Sequence, residues 1–163
     1  MPITGKVWMF GDDINTDLIM PQVAFLLPLE EQIKHVFKAN RPGWIDVVAE
    51  GDFIVAGRNF GTGSSRPGAQ LLRHLGVTCL IAESINGLFF RNCVNFGLYP
   101  IQCPGISQAF VEGDQAEVDP ETGRVQNLRT GQVLQGEKLP DFLLNIIRAG
   151  GIIPMLKQQG YME

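Results

Sequence analysis

Charge is scarce in this sequence. Charged residues make up 18% of the 163, the 13 Lys and Arg are outnumbered by 17 Asp and Glu, and the net charge is −4. No block of basic residues is dense enough to form a stripe, which argues against a phosphate backbone and excludes nucleic acid as a partner. Histidine is scarcer still. His35 and His74 fall on separate predicted helices without the paired spacing of a ligand set, so each is expected to be a surface or packing residue. Three cysteines, Cys79, Cys93 and Cys103, form no C-x-x-C pair, and an odd count is a poor disulfide framework. They point to a reducing, cytoplasmic setting and to thiols that fill apolar space. Any metal the chemistry uses would have to arrive on another chain. No apolar run approaches the length of a membrane span, and Met1 to Lys6 lacks the basic-then-apolar pattern of a signal peptide. The expectation is an unexported protein with no membrane partner.

What is present is apolar: 45% of residues are hydrophobic, enough for one folded domain over residues 1–163 with some apolar surface left for a partner. Lys6 to Phe10 reads as a first strand, ended by the turn-forming Gly11-Asp12-Asp13. Ile14 to Pro21 then sets polar side chains among apolar ones, as a loop bordering a site would. Between Pro21 and Pro28 lies Val23-Ala24-Phe25-Leu26-Leu27, too apolar for an ordinary exposed loop. The ordinary expectation tucks it into the core; the sharper one makes it a flap whose apolar tip faces a substrate. Glu30 to Ala39 carries helical spacing with Ile33, Val36 and Phe37 on one face.

Phe53-Ile54-Val55-Ala56 predicts a strand, and Ala69, Leu71, Leu72 and Leu75 a helix. Val77 to Ala82 is nearly all apolar, as a strand covered on both faces would be, which completes a βαβ crossover. Ser84 or Asn86 caps a second helix through Cys93, and Leu98 to Ile101 follows as a short strand. Residues 113–119 and 124–128 alternate like a hairpin about Pro120 to Gly123, with a further strand over Thr130 to Leu134. Pro140-Asp141 opens a helix that stops at Gly150-Gly151, and Pro154 begins a last short one.

Between the strand at Phe53 and the helix at Ala69 runs Gly57-Arg58-Asn59-Phe60-Gly61-Thr62-Gly63-Ser64-Ser65-Arg66-Pro67-Gly68. Its glycines allow tight turns or the close approach of backbone N–H groups to a ligand. Ser64 or Ser65 is placed to cap the helix, Pro67 suits its first turn, and the amides there attract negative charge. Arg66 adds a planar cation that matches a carboxylate or phosphate in two parallel hydrogen bonds. The stretch is thus an anion-binding hook, with Gly61, Thr62 and Gly63 as its loop. It is not a nucleotide P-loop, because Ser64-Ser65, followed by Arg66, stands after the last glycine where Lys-Ser or Lys-Thr would be needed; nor a dinucleotide fingerprint or nucleophile elbow, whose glycines are missing.

Taken together, Gly11 to Asp17, Gly57 to Arg66, Ile81-Ala82-Glu83-Ser84, Phe89 to Asn92 and Asn95 to Leu98 resemble, in order and spacing, the small subunit of 3-isopropylmalate dehydratase. That chain is also the swivelling domain of the aconitase superfamily. The resemblance implies an α/β fold, a swivelling β/β/α domain that closes over a large subunit carrying a [4Fe–4S] cluster, with no cofactor in this chain. It implies a hydro-lyase that isomerises a small hydroxy-dicarboxylic acid in leucine biosynthesis, inactive without its partner. Ser64 matches the catalytic serine that takes the proton. Arg66 matches the arginine gripping a substrate carboxylate, and Ser65 donates a hydrogen bond or only caps the helix. Thr16 and Asp17 match the loop bordering the site, or serve only its turn. Phe25, Leu26 and Leu27 fall where the family distinguishes its substrate's alkyl group.

The sequence departs from the family where Pro67-Gly68 stands in place of Glu-His, and where Thr62 replaces a common Cys. These changes leave Ser64 and Arg66 in place but remove two groups that could orient the arginine. A related acid such as 2,3-dimethylmalate or homoaconitate therefore stays open, as does a module that only binds an anion.

Overall fold

Strand β1 (Ile3–Met9) lies at the centre of a seven-stranded sheet in a computed structural model that describes residues 1–63 and 67–161. On one side β1 pairs in parallel with β2 (Phe53–Ala56), followed outward by β3 (Cys79–Ala82) and β4 (Tyr99–Gln102). On the other it pairs antiparallel with β5 (Gln115–Asp119), which continues to β6 (Arg124–Asn127) and β7 (Val133–Gln135). The sheet curls: the Glu137 N–H, just beyond β7, donates to the Gln102 carbonyl of β4 at 2.8 Å.

The two-residue period of the strands sorts side chains into two cores. Trp8, Ile54, Ala56, Leu80 and Ala82 point into one core, and Val7, Phe53, Val55, Cys79 and Ile81 into the other. Both faces of β2 and β3 are buried, as their continuous apolar runs require. In chain order the helices are α1 (Thr16–Ile19), α2 (Leu29–Gln32), α3 (Gly68–His74), α4 (Gly87–Asn95), α5 (Ile106–Ala109), α6 (Asp141–Arg148) and α7 (Ile152–Gln158). Leu71 and Leu72 of α3 enter the first core, while Leu144 and Ile147 of α6 enter the second. The short α1 and α5 carry too few residues for a periodic pattern, and neither is expected from the sequence.

Several boundaries differ from the sequence expectation. The first strand begins at Ile3 rather than Lys6, and the last covers Val133–Gln135. Pro154 sits inside the first turn of α7 rather than opening it, and Gly151 is the N-cap. The expected helix over residues 30–39 is broken: α2 ends at Gln32, a 3-10 turn covers Ile33–His35, and Phe37 takes a left-handed φ of 54°. Aromatic packing overrides the helical pattern there. The bend buries the Phe37 ring 4.4 Å from Phe10 and 5.1 Å from Trp44, pinning this segment onto β1.

Below the antiparallel half, Asp114 is buried, and its carboxylate accepts hydrogen bonds from the Asn127 side chain at 2.9 Å, the Val111 N–H at 2.9 Å and the Arg129 guanidinium. The Arg129 bond above all, with the other donors, outweighs desolvation and holds this carboxyl well below the usual carboxylate range. A depressed native pKa gives stability that is complete above the unfolded value of about 3.9 and lost as pH falls below it. Asp114→Asn should therefore lower the urea midpoint at pH 6 and narrow the gap between midpoints at pH 6 and pH 3; an unchanged gap would contradict this assignment.

Candidate functional site

The loops that follow β1, β2 and β3 lie side by side at the C-terminal ends of the parallel strands, where open α/β sheets bind their ligands. Hydrogen bonding does not stop where the strands do. On the β1 side, Gly57 N–H donates to Gly11 O (3.1 Å), Asp13 N–H to Arg58 O (2.8 Å), Gly61 N–H to Ile14 O (2.8 Å) and Thr16 N–H to Thr62 O (2.8 Å). On the β3 side, Glu83 N–H donates to Gly57 O (3.1 Å), Phe60 N–H to Ser84 O (3.1 Å) and Asn86 N–H to Phe60 O (2.8 Å). The glycine-rich loop is thus a middle rail, bonded to both neighbours as far as Phe60 and to the β1 loop as far as Thr62.

Side chains reinforce the rail. Phe60 is fully buried, its ring 5.5 Å from that of Phe89 of α4. Gly61, with φ +84°, has no room for a Cβ, which would stand 2.3 Å from Phe89. Gly63, with φ +114°, presses the same way on Thr16, whose hydroxyl would lie 2.8 Å from an added Cβ. Both positions therefore need glycine for conformation and for space. The Gly61 N–H binds Ile14 O, so within the expected anion-binding loop Gly61 contributes conformation and packing.

Thr16 is buried and meets the loop end at Gly63, so these two expected site residues are brought together. Asn15 caps α1 by accepting from the Leu18 N–H at 2.9 Å. Asp17 accepts from the Gln22 N–H at 3.1 Å, which ties the next segment to α1 and supports a turn-holding role. That segment is the apolar stretch between the prolines. Only its Ala24 is buried, while Val23 and Leu26 are 82% and 92% exposed, and Phe25 and Leu27 are exposed as well. The expectation of a piece tucked into the core is overturned, because the 3-10 turn Gln22–Ala24 gives the core one small side chain and turns the large ones outward. Its backbone is nevertheless held, since buried Gln32 donates from Nε2 to the Phe25 carbonyl at 3.0 Å.

Ser64, Ser65 and Arg66, including the expected serine cap, lie outside the described residues. Helix α3 resumes just beyond them with Pro67 at the N-cap and no side-chain cap bond, which moves Pro67 one place outside the first turn.

Sequence reasoning read Asp12 and Asp13 only as turn formers and Ser84 only as a possible helix cap, and gave Asn59 and Glu83 no side-chain role; in the structure these side chains link the loops. Asp12 Oδ1 accepts from Arg58 N–H (2.8 Å), Asp13 Oδ1 from Asn59 Nδ2 (2.9 Å), and Ser84 Oγ from Asn59 N–H (2.8 Å). Glu83 accepts from Gly105 N–H (2.7 Å), Ser107 N–H (2.8 Å) and Ser107 Oγ (2.7 Å). Burial pushes the Glu83 carboxyl up, but these bonds and the nearby Arg58 charge outweigh it and leave it below the usual range. With Asp12, Arg58 and Gln108 these groups line a polar hollow of about 250 Å³. A larger cavity, about 430 Å³, lies at the opposite ends of the strands. The two arginines on it, Arg73 and Arg148, already pair with Glu50 and Glu121, so the convergent polar groups, not the volume, locate the site.

Among the described residues no group of three or more His, Cys, Asp or Glu is placed to bind an ion. Cys79 and Cys93 are fully buried in different cores and burial pushes both thiols up; Cys103 is pushed up to about 11, again chiefly by burial. Protonated, walled-off thiols do not fit an iron–sulfur cluster. His35 is half-buried in its 3-10 turn and His74 exposed on α3. Nor is any helix, among the described residues, long and apolar enough to cross a membrane.

The family described as Aconitase C-terminal domain matches residues 37–105. An isopropylmalate/citramalate isomerase small subunit from Methanocaldococcus jannaschii is 46% identical over 160 residues, spanning 96% of this chain and 95% of that protein. A 3-isopropylmalate dehydratase small subunit 1 from Methanopyrus kandleri is 43% identical over 160 residues, spanning 97% and 94%. The crystal structure of a 3-isopropylmalate dehydratase from M. jannaschii superposes with a TM-score of 0.88 at 32% identity, covering 99% of this chain and 96% of that one.

Gly61→Ala should cost about 1–3 kcal/mol, the usual penalty of overpacking, read as a lowered denaturant midpoint. Gly11→Ala, whose Cβ would meet nothing within 4 Å, should leave the midpoint nearly unchanged. Equal effects would mean that Phe89 does not brace the loop.

Proposed function

Because the chain belongs to the 3-isopropylmalate dehydratase small-subunit family of the aconitase superfamily, we propose that it is the small subunit of a hydro-lyase that isomerises an alkyl-substituted malate. One observation carries the assignment to this site: a glycine-rich loop, bonded on both sides, delivers the chain at Gly63 beside buried Thr16, immediately before Ser64.

Ser64 takes the proton from the carbon beside a substrate carboxylate, and the electron pair of that C–H bond forms the C=C bond as the hydroxyl departs. A serine hydroxyl is a poor base in water, so the site must stabilise its alkoxide through nearby donors and the positive charge of Arg66. Arg66 holds a substrate carboxylate in two parallel hydrogen bonds, Ser65 and the amides of Thr62 and Gly63 contribute donors, and Thr16 and Asp17 fix the border of the site. A [4Fe–4S] cluster on the large subunit supplies Lewis-acid chemistry at the departing hydroxyl. The hydroxyl of a water then adds to the carbon that lost its proton, and Ser64 delivers a proton to the carbon that lost its hydroxyl.

The alkyl group is read by the exposed segment holding Val23, Phe25, Leu26 and Leu27. Residues 21–29 carry no charged side chain, so the segment suits isopropyl or methyl and offers no partner for the extra carboxylate of homoaconitate. An exposed apolar segment of this kind is covered when the large subunit closes over the site. The three unpaired cysteines suit a reducing, cytoplasmic setting, and the names of the relatives point to leucine biosynthesis.

The test is anaerobic reconstitution with the large subunit and 3-isopropylmalate. Ser64→Ala should lower kcat by about 10²–10⁴ with KM little changed, the range for losing a positioned base. Arg66→Lys should instead raise KM as the planar pairing is lost. A Ser64→Ala complex turning over at the normal rate would overturn the proposal, and a wild-type complex that binds the acid without turnover would make the chain a plain anion-binding module. Leu26→Ala should lower kcat/KM for isopropylmalate about tenfold relative to citramalate, within the 1–3 kcal/mol of a lost methylene contact.

A further inference from the structure

We infer that Asp13 and Asn59 form a clasp that positions the loop leading to Ser64, an inference that rests on the function proposed above. Among the described residues three non-glycine residues have positive φ, and two of them are Asp13 at 58° and Asn59 at 61°. They face each other across the gap between the β1 and β2 loops. Glycine would satisfy the left-handed backbone at either place with less strain, and this chain uses glycine at many such turns. What glycine would not supply is the bond between the two side chains, Asn59 Nδ2 to Asp13 Oδ1 at 2.9 Å.

Around that bond the backbone is tied in three further places. Asp13 N–H donates to Arg58 O at 2.8 Å, Arg58 N–H to Asp12 Oδ1 at 2.8 Å, and Asn59 N–H to Ser84 Oγ at 2.8 Å. All three loops therefore meet at Arg58 and Asn59, just before Phe60 enters the core. Beyond Phe60 the chain is held by the Gly61 and Thr16 amides and then reaches Gly63. The clasp sets the register in which these bonds form. Asp13 and Asn59 are positioning residues, since both act through the loop.

The conformational and hydrogen-bonding roles separate by substitution. Asn59→Gly and Asp13→Gly keep the left-handed turn and delete the clasp; Asp13→Asn keeps an oxygen acceptor for Asn59. In the isolated full chain, both glycine variants should speed hydrogen exchange at the Gly61 and Thr16 amides by about tenfold or more, leaving the β3 amides unchanged. Asp13→Asn should exchange like the wild type. In the reconstituted complex, the glycine variants should lower kcat about tenfold with KM within about twofold, as expected when a reacting group is misplaced, and Asp13→Asn should restore it. Glycine variants that exchange as slowly and turn over as fast as the wild type would overturn the clasp. A wild-type complex with no turnover would count against the proposed function alone, with the exchange measurement still deciding the clasp; uniform acceleration at β3 as well would reduce the two residues to general stability.

Discussion

Backbone hydrogen bonding that runs past the ends of three parallel strands is the constraint on which the rest of this molecule depends. A loop between a buried strand and a helix carries amides and carbonyls that must find partners once water is excluded. Here they are satisfied by the neighbouring loops, at Gly11, Asp13, Ile14 and Thr16 on one side and at Glu83, Ser84 and Asn86 on the other. The glycines follow from this arrangement. Gly57 leaves space for the Asp12 carboxylate, Gly61 for Phe89 and Gly63 for Thr16. A loop so held enters its ligand site already ordered, and ordering it on binding need not be paid for again.

The sheet supports that geometry from both faces. Parallel strands with a core on each side fix the loop ends rigidly, while the antiparallel half, closed against β4 through Gln102 and Glu137, encloses the second core. Against this stiff frame the segment from Val23 to Leu27 stands out, its backbone secured by Asp17 and Gln32 and its large side chains in solvent. Secure backbone with unburied apolar tips suits a surface that the proposed large subunit would cover.

Much of this was legible beforehand. Continuous apolar runs marked β2 and β3, alternation marked the β5 and β6 hairpin, and the glycines from Gly57 to Gly63 marked a tightly turning loop. The breaks came where tertiary packing overrode local pattern. Phe37 carried helical spacing, yet its ring was worth more against Phe10 and Trp44 than on a helix face. The Pro21 to Pro28 segment looked like core because apolarity alone does not say which side a short turn presents. Asp12 and Asp13 were read only as a turn and Ser84 only as a possible helix cap, while the side chain of Asn59 had no role. Their bonds join residues 46 and 25 positions apart, and no window of local sequence contains both partners.

The central claim is that this chain holds half of a catalytic pocket. The most direct measurement is turnover of 3-isopropylmalate by each purified chain alone and by the two mixed, under anaerobic conditions with matched concentrations. Activity confined to the mixture, saturating at one small chain per large chain, is the predicted result. Undiminished turnover by the large subunit in the absence of this chain would contradict it.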